Sequence, residues 1–176
     1  EFARWSDRMI WEQVDLSGDN WERQKQQRRA MRTRALQAAP ADDDVVVFSD
    51  CEEVWGPEML PRWRDTIVVA GQDMRILKPE WRRNPSWPGS IGGPWRLMKS
   101  EDWQNLRDRR WELPKVRSGW HLTWMGGAEA CRVKAAALSD PKYQKVNFDR
   151  LLAEARWIDK KVDVMDDRPE GIPDSW

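Results

Sequence analysis

The sequence predicts a single α/β domain, on three observations. A helix-forming segment opens directly onto a short, continuously apolar run. That run ends in a cluster of carboxylates, and a second helix with core spacing closes the chain. With 176 residues there is room for one domain with one core, and too few residues for two ordinary ones.

Met9 to Val14 alternates apolar and polar residues as a half-buried strand does, and Ser17-Gly18-Asp19-Asn20 is a turn able to cap a helix. That helix is expected over 21–39, with Trp21, Met31, Ala35 and Ala39 forming an apolar stripe and Arg23, Lys25, Arg32 and Arg34 turned mostly elsewhere. Arg28 stands inside the stripe, seven residues from both Trp21 and Ala35, where a guanidinium needs an anionic partner. Pro40 and the acidic segment after it end the helix, and Val45 to Phe48 has the composition of a strand covered on both faces. It stops at Ser49-Asp50-Cys51-Glu52-Glu53. In α/β folds ligands bind beyond the carboxyl ends of strands, so this is where a site belongs.

A short helix is expected over 57–63 and a strand over 66–70. Lys78 to Pro94 is rich in Pro, Gly and Trp and reads as an ordered loop bordering the site. Ser100 is expected to cap a helix with Glu101 and Asp102 in its first turn and Trp103, Leu106 and Arg110 along one face. Residues 119–124 read as a strand, broken by Gly126-Gly127 before a helix that runs to Leu138. The last helix, from Phe148 to about Val162, places Phe148, Leu151, Leu152, Ala155, Ile158 and Val162 at core spacing. The domain is expected over 1–164, with 165–176 as a loose tail.

Thirty Lys and Arg balance thirty Asp and Glu, so no net field draws the chain to nucleic acid or an anionic membrane. No apolar run reaches the roughly 20 residues of a membrane-spanning helix. Cys51 and Cys131 offer neither a disulfide framework nor metal-ligand spacing. Fourteen tryptophans supply flat apolar faces suited to core packing and to stacking on sugar rings. The basic run at 21–35 reads as a solvated helix face rather than a nucleic-acid patch.

Three acids within four residues repel one another unless a cation or a basic side chain neutralises them. A hard divalent ion with oxygen ligands, Mg²⁺ or Mn²⁺, is one such cation; an acidic solvated turn is the plainer alternative. His121, the one histidine, sits beside Trp120. It could be a packed, hydrogen-bonded residue, a metal ligand or a base.

The ordered segments W-E-R-Q-K-Q-Q-R-R-A-M, V-V-V-F-S-D-C-E-E-V-W-G-P-E and S-G-W-H-L-T-W-M-G-G-A-E-A, with Lys134 downstream, resemble glycosyltransferase family 17 from about Phe2 to Val164. The resemblance implies a GT-A fold and inverting transfer of N-acetylglucosamine from UDP-N-acetylglucosamine to a sugar or glycan acceptor. Asp50 and Glu52 stand where the family has its D-x-D-type motif, holding Mn²⁺ or Mg²⁺ and the UDP-sugar. Glu53 matches the following acid, Arg28 an arginine of the family's helix, and His121 the family's Trp-His.

Glu52 replaces the usual Asp, one methylene longer, and Asp140 stands where many relatives have a histidine. The strand and helix that open a GT-A fold are expected to be missing before Glu1, as in a fragment or a divergent member. Candidates for the base are Glu53, Asp102, His121 and Asp140; His121 is also a candidate third metal ligand. A bacterial or viral chain of this kind would be cytoplasmic. The competing readings are a non-catalytic carbohydrate- or nucleotide-binding module and a nucleic-acid-binding protein using helix 21–39.

Overall fold

A computed structural model describes residues 13–138, 141–158, 160–170 and 172. Helix α1 (Asn20–Ala38) starts where the Asp19 carboxylate accepts a hydrogen bond from the Glu22 amide, 2.9 Å away. Ala39, at φ 46°, ends it. The expected stripe faces the domain only in part: Trp21 borders the cleft described below yet is 62 % exposed, Met31 is 37 % exposed, and Ala35 packs on the core. Arg32 instead ties the helix down, donating to the carbonyls of Glu101 (2.7 Å) and Lys99 (2.8 Å).

Strand β1 (Val45–Phe48) has apolar neighbours on both faces, Val46 and Phe48 against one cluster and Val45 and Val47 against another. It is nonetheless an edge strand, and its three valines are only half-buried. Next come β2 (Glu53–Val54), α2 (Met59–Asp65), β3 (Val68–Ile76) and β4 (Trp81–Pro94).

β4 corrects the expected loop. Its glycines make room rather than a turn: a Cβ on Gly92 would stand 2.7 Å from the ring of buried Trp63, whose indole N–H reaches the Val68 carbonyl at 2.9 Å. A Gly-rich, Trp-rich stretch is therefore a strand packed closely under a large ring. After it come α3 (Trp95–Met98), α4 (Trp103–Asp108), β5 (Lys115–Thr123), α5 (Gly127–Ala137), α6 (Phe148–Ala153), β6 (Arg156–Trp157), β7 (Lys160–Lys161) and β8 (Asp163–Val164).

α4 is capped by Asp102, which accepts from the Asn105 amide at 2.9 Å, and not by Ser100. The expected last helix stops at Ala153, because Ala155 (φ 47°) and Ile158 (φ 52°) adopt left-handed backbone. Phe148, Leu151 and Val162 are still buried, the last from the β-hairpin side, whereas Ile158 is exposed. The segment read as a loose tail is tied at its start. Asp167 accepts from the fully buried Arg75 at 2.9 Å, and the Met165 amide donates to the Glu80 carbonyl at 2.8 Å. The expected strand at 9–14 lies outside the described residues except for 13 and 14, which are not in a strand.

The main sheet is mixed, in the order β1-β4-β3-β5-β2, with β8 on β4; β3 and β5 are parallel and the other pairings antiparallel. Glu53 on β2 hydrogen-bonds Trp87 and Ser90 on β4, a strand that is not its neighbour in the order, so the sheet curls on itself. Residues 49–52 connect β1 and β2, the two ends of that strand order. No helix among the described residues is long and apolar enough to cross a membrane.

Candidate functional site

Curling leaves a cleft of about 590 Å³ on the concave face of the sheet, closed by side chains of α1, α4 and α5. Its floor is built by pairing. Glu53 stands opposite His121 in the β2–β5 register, and the Leu122 amide donates to the Glu52 carbonyl at 2.8 Å. The approach is so close that a Cβ on Gly119, at φ 74°, would lie 1.9 Å from the Val54 carbonyl oxygen, so this position accepts only glycine.

The acids at 50–53 are neutralised by basic side chains. Glu53 is sealed: Oε1 accepts from Trp87 Nε1 at 3.0 Å and from Arg107 Nη1 and Nη2 at 3.1 Å, and Oε2 accepts from Ser90 at 3.3 Å and the Asp50 amide at 3.2 Å. Asp50, more open, accepts from the same Arg107. Glu52 takes a separate base, Lys134, on Oε2, while Oε1 accepts from the Thr123 hydroxyl at 3.3 Å and lies 3.4 Å from His121 Nε2.

His121 is 4 % exposed, and burial holds its pKa down at about 4, against the opposing pull of Glu52. Its imidazole is neutral at pH 7. Among the described residues Nδ1 is buried without a hydrogen-bond partner, 3.8 Å from Glu53 Oε1, and the ring lies 4.9 Å from that of Trp87.

Four expected residues, Arg28, Asp50, Glu52 and His121, line this one cleft. Glu53 lies behind its wall, holding Arg107. Asp102 does not join them, since its carboxylate is an exposed helix cap. Asp140 lies outside the described residues. Arg28 has no carboxylate within ion-pair distance among the described residues. It donates to Gln104 Oε1 at 2.8 Å, and burial, together with the nearby Arg107, lowers its pKa.

Divalent-ion ligation finds little to use. Asp50 and Glu52 each hold a different base, and no group of three His, Cys, Asp or Glu side chains among the described residues could hold a metal. Compared with models of known protein families, with curated proteins and with solved structures, the chain matches none.

The site includes residues to which sequence reasoning assigned no role, among them Lys134, named there only with the family resemblance, and Arg110, named only as part of a helix face. Arg107, four positions after Trp103 on the same helix face, repeats the signal that drew attention to Arg28. Trp87 packs against Arg110, whose guanidinium carbon lies 4.9 Å from the ring centre. Lys134 reaches the cleft beside Trp124, its ammonium 5.4 Å from that ring.

Proposed function

We propose that this chain is a glycosyltransferase domain of the GT-A type that transfers a sugar, N-acetylglucosamine by its family resemblance, from a UDP-sugar to a sugar or glycan acceptor. One observation carries the reading: the two segments that bear the resemblance, 49–53 and 119–121, meet beside one cleft, with Glu53 opposite His121 in the β2–β5 register. A cleft with several aromatic walls and both charge signs suits a nucleoside, a sugar and a diphosphate together.

In this reading the acceptor oxygen attacks the anomeric carbon as the bond to the diphosphate breaks, and UDP leaves with the electron pair. Glu52, partly exposed and reached by cleft solvent, takes the acceptor proton. Lys134 and Thr123 orient the carboxylate, and neutral His121 keeps a second positive charge from its side. Glu53 and Asp102 have no place in the proton transfer, the first being sealed and the second a cap.

The test is a transfer assay with UDP-N-acetylglucosamine and a panel of sugar acceptors, read by mass spectrometry, on the wild-type chain and Glu52→Gln. The expected result is turnover that falls by about 10²–10⁴ in the variant with donor binding kept. Binding of UDP with neither transfer nor hydrolysis would favour a non-catalytic sugar-nucleotide module, which the pairing of Asp50 and Glu52 with resident bases also fits.

A further inference from the structure

A sugar nucleotide brings a diphosphate whose charge must be matched, and two kinds of partner can do so. One is a divalent ion bridging acidic side chains to phosphate oxygens. The other is a set of guanidiniums, whose planar forks match phosphate oxygens in pairs. The carboxylates that the first would require, Asp50 and Glu52, are held apart by Arg107 and Lys134. For the second, the guanidiniums of Arg28, Arg83 and Arg110 line the cleft.

Of the cations lining the cleft, Arg107, Lys134 and Lys25 have carboxylate partners, the last in Glu22 at 3.8 Å. Arg28, Arg83 and Arg110 have none within ion-pair distance among the described residues. Arg83 and Arg110 each keep a buried Nε without a hydrogen-bond partner among those residues, and Arg83 Nη1 reaches the Met74 sulfur at 3.9 Å. Arg110 is held in place by donating to the Arg107 carbonyl at 2.7 Å and by lying over Trp87. Burial and then the neighbouring Arg107 lower the pKa of Arg110, to about 10, as expected for crowded guanidiniums that lack an anion. A buried charge without a partner is costly, and in a cleft open to ligand the partner can come from outside.

Building on the sugar-nucleotide reading, we infer that this cleft binds a diphosphate group through Arg28, Arg83 and Arg110, without a divalent ion. The experiment is calorimetry of UDP and of inorganic pyrophosphate binding to the whole chain, in EDTA and in Mn²⁺. The variants are Arg28→Met, Arg110→Met and Arg110→Lys, with Arg29→Gln, which is exposed and paired to Glu22, as the control. UDP affinity in EDTA should stay within about threefold of that in Mn²⁺. Each Met variant should lose about tenfold or more, as removal of a charged hydrogen-bond donor to phosphate implies.

Arg110→Lys, which keeps the charge without the fork, should fall between wild type and Arg110→Met. Should Arg110→Met fail to fold, Arg28→Met, on the outer helix, carries the test. UDP binding seen only with Mn²⁺, or unaffected by both Met variants, overturns the inference and leaves the transferase reading standing. Pyrophosphate bound in EDTA through these arginines, with UDP not bound, upholds the anion site and removes the sugar-nucleotide reading. If neither ligand binds under any condition, both fall.

Discussion

Arg107 and Arg110 stand three residues apart, in and just after one short helix, and line the same cleft, yet their surroundings differ in kind. Arg107 is 4 % exposed and its guanidinium meets Asp50, Glu53 and the Gly89 carbonyl. Arg110, more open, meets a carbonyl and an indole face but no acid among the described residues. The first arrangement is closed on itself and holds β2 to β4 and α4. The second is incomplete without a ligand. Charged groups in one cleft thus divide into those that build it and those left for what enters it.

The largest effect expected from this contrast belongs to Arg107. Arg107→Met leaves the carboxylate of Glu53 buried without its cation, and breaking one side of a buried pair costs about 3–5 kcal/mol. For a domain of this size that corresponds to a melting temperature lower by roughly 10 °C. Arg110→Met should cost far less stability, because no buried acid is abandoned. Thermal melts in which the two variants fall equally would erase the distinction, and a double variant with Glu53→Gln that regains part of the loss would sharpen it.

Much of this arrangement is legible in the sequence, and the failures share a physical cause. Arg28 stands out because a charge interrupts an apolar stripe, yet most of that stripe stays exposed: α1 is held to the domain by Arg28, Arg32 and Ala35. Apolar spacing tells which residues share a face, and contacts made by long polar side chains can still decide which face docks. The acidic cluster after β1 is visible because carboxylates end an apolar run. That Glu53 turns inward and Glu52 into the cleft depends on the curl of the sheet and on pairing with β5, both non-local.

β4 is hidden for the same reason. Its glycines answer to Trp63 and Gln72, which the local sequence around 81–94 does not contain. The shortened last helix shows the converse. Phe148 and Leu151 are buried as their spacing implies, but left-handed backbone at Ala155 and Ile158 breaks a pattern that periodicity alone would continue.

His121 offers the next test, intermediate in size, of whether the floor of the cleft is structural. Its pKa in the folded chain, about 4, lies below the ordinary value of 6.5. Between those two pH values the unfolded chain binds a proton that the folded chain does not. Stability from this group is therefore complete above about pH 7 and declines as pH falls from 6.5 toward 4, by about 3 kcal/mol in all. The facing groups Glu52, Glu53, Arg107 and Lys134 remain in His121→Gln, so the slope missing from that variant isolates the histidine. Unfolding free energies measured by denaturant at about pH 7, 6, 5 and 4.5 give the slope directly. If both proteins decline in parallel, the imidazole is not buried as described.

The smallest expected effect on stability, and the one that tests the open half of the comparison, concerns Lys134. Its ammonium bonds Glu52 and the Thr123 hydroxyl, at 3.1 Å for the latter, in surroundings that leave both charged side chains more than a quarter exposed. Water can solvate either partner when the other is removed, so the pair resembles a surface ion pair and contributes about 0–1 kcal/mol. Lys134→Met keeps the apolar stem near Trp124 and removes only the charge. Its melting temperature should fall by at most about 3 °C, well short of the Arg107→Met loss.

In the transferase reading turnover should respond differently, because Glu52 without its lysine is free to swing, and a carboxylate out of line with the acceptor hydroxyl accepts the hydroxyl proton poorly. A kcat reduced by about tenfold or more, with an unchanged KM for donor, is the expected split. A Lys134→Met protein as unstable as Arg107→Met would place Glu52 among the residues that build the cleft. It would then remove Glu52 from those that act in it.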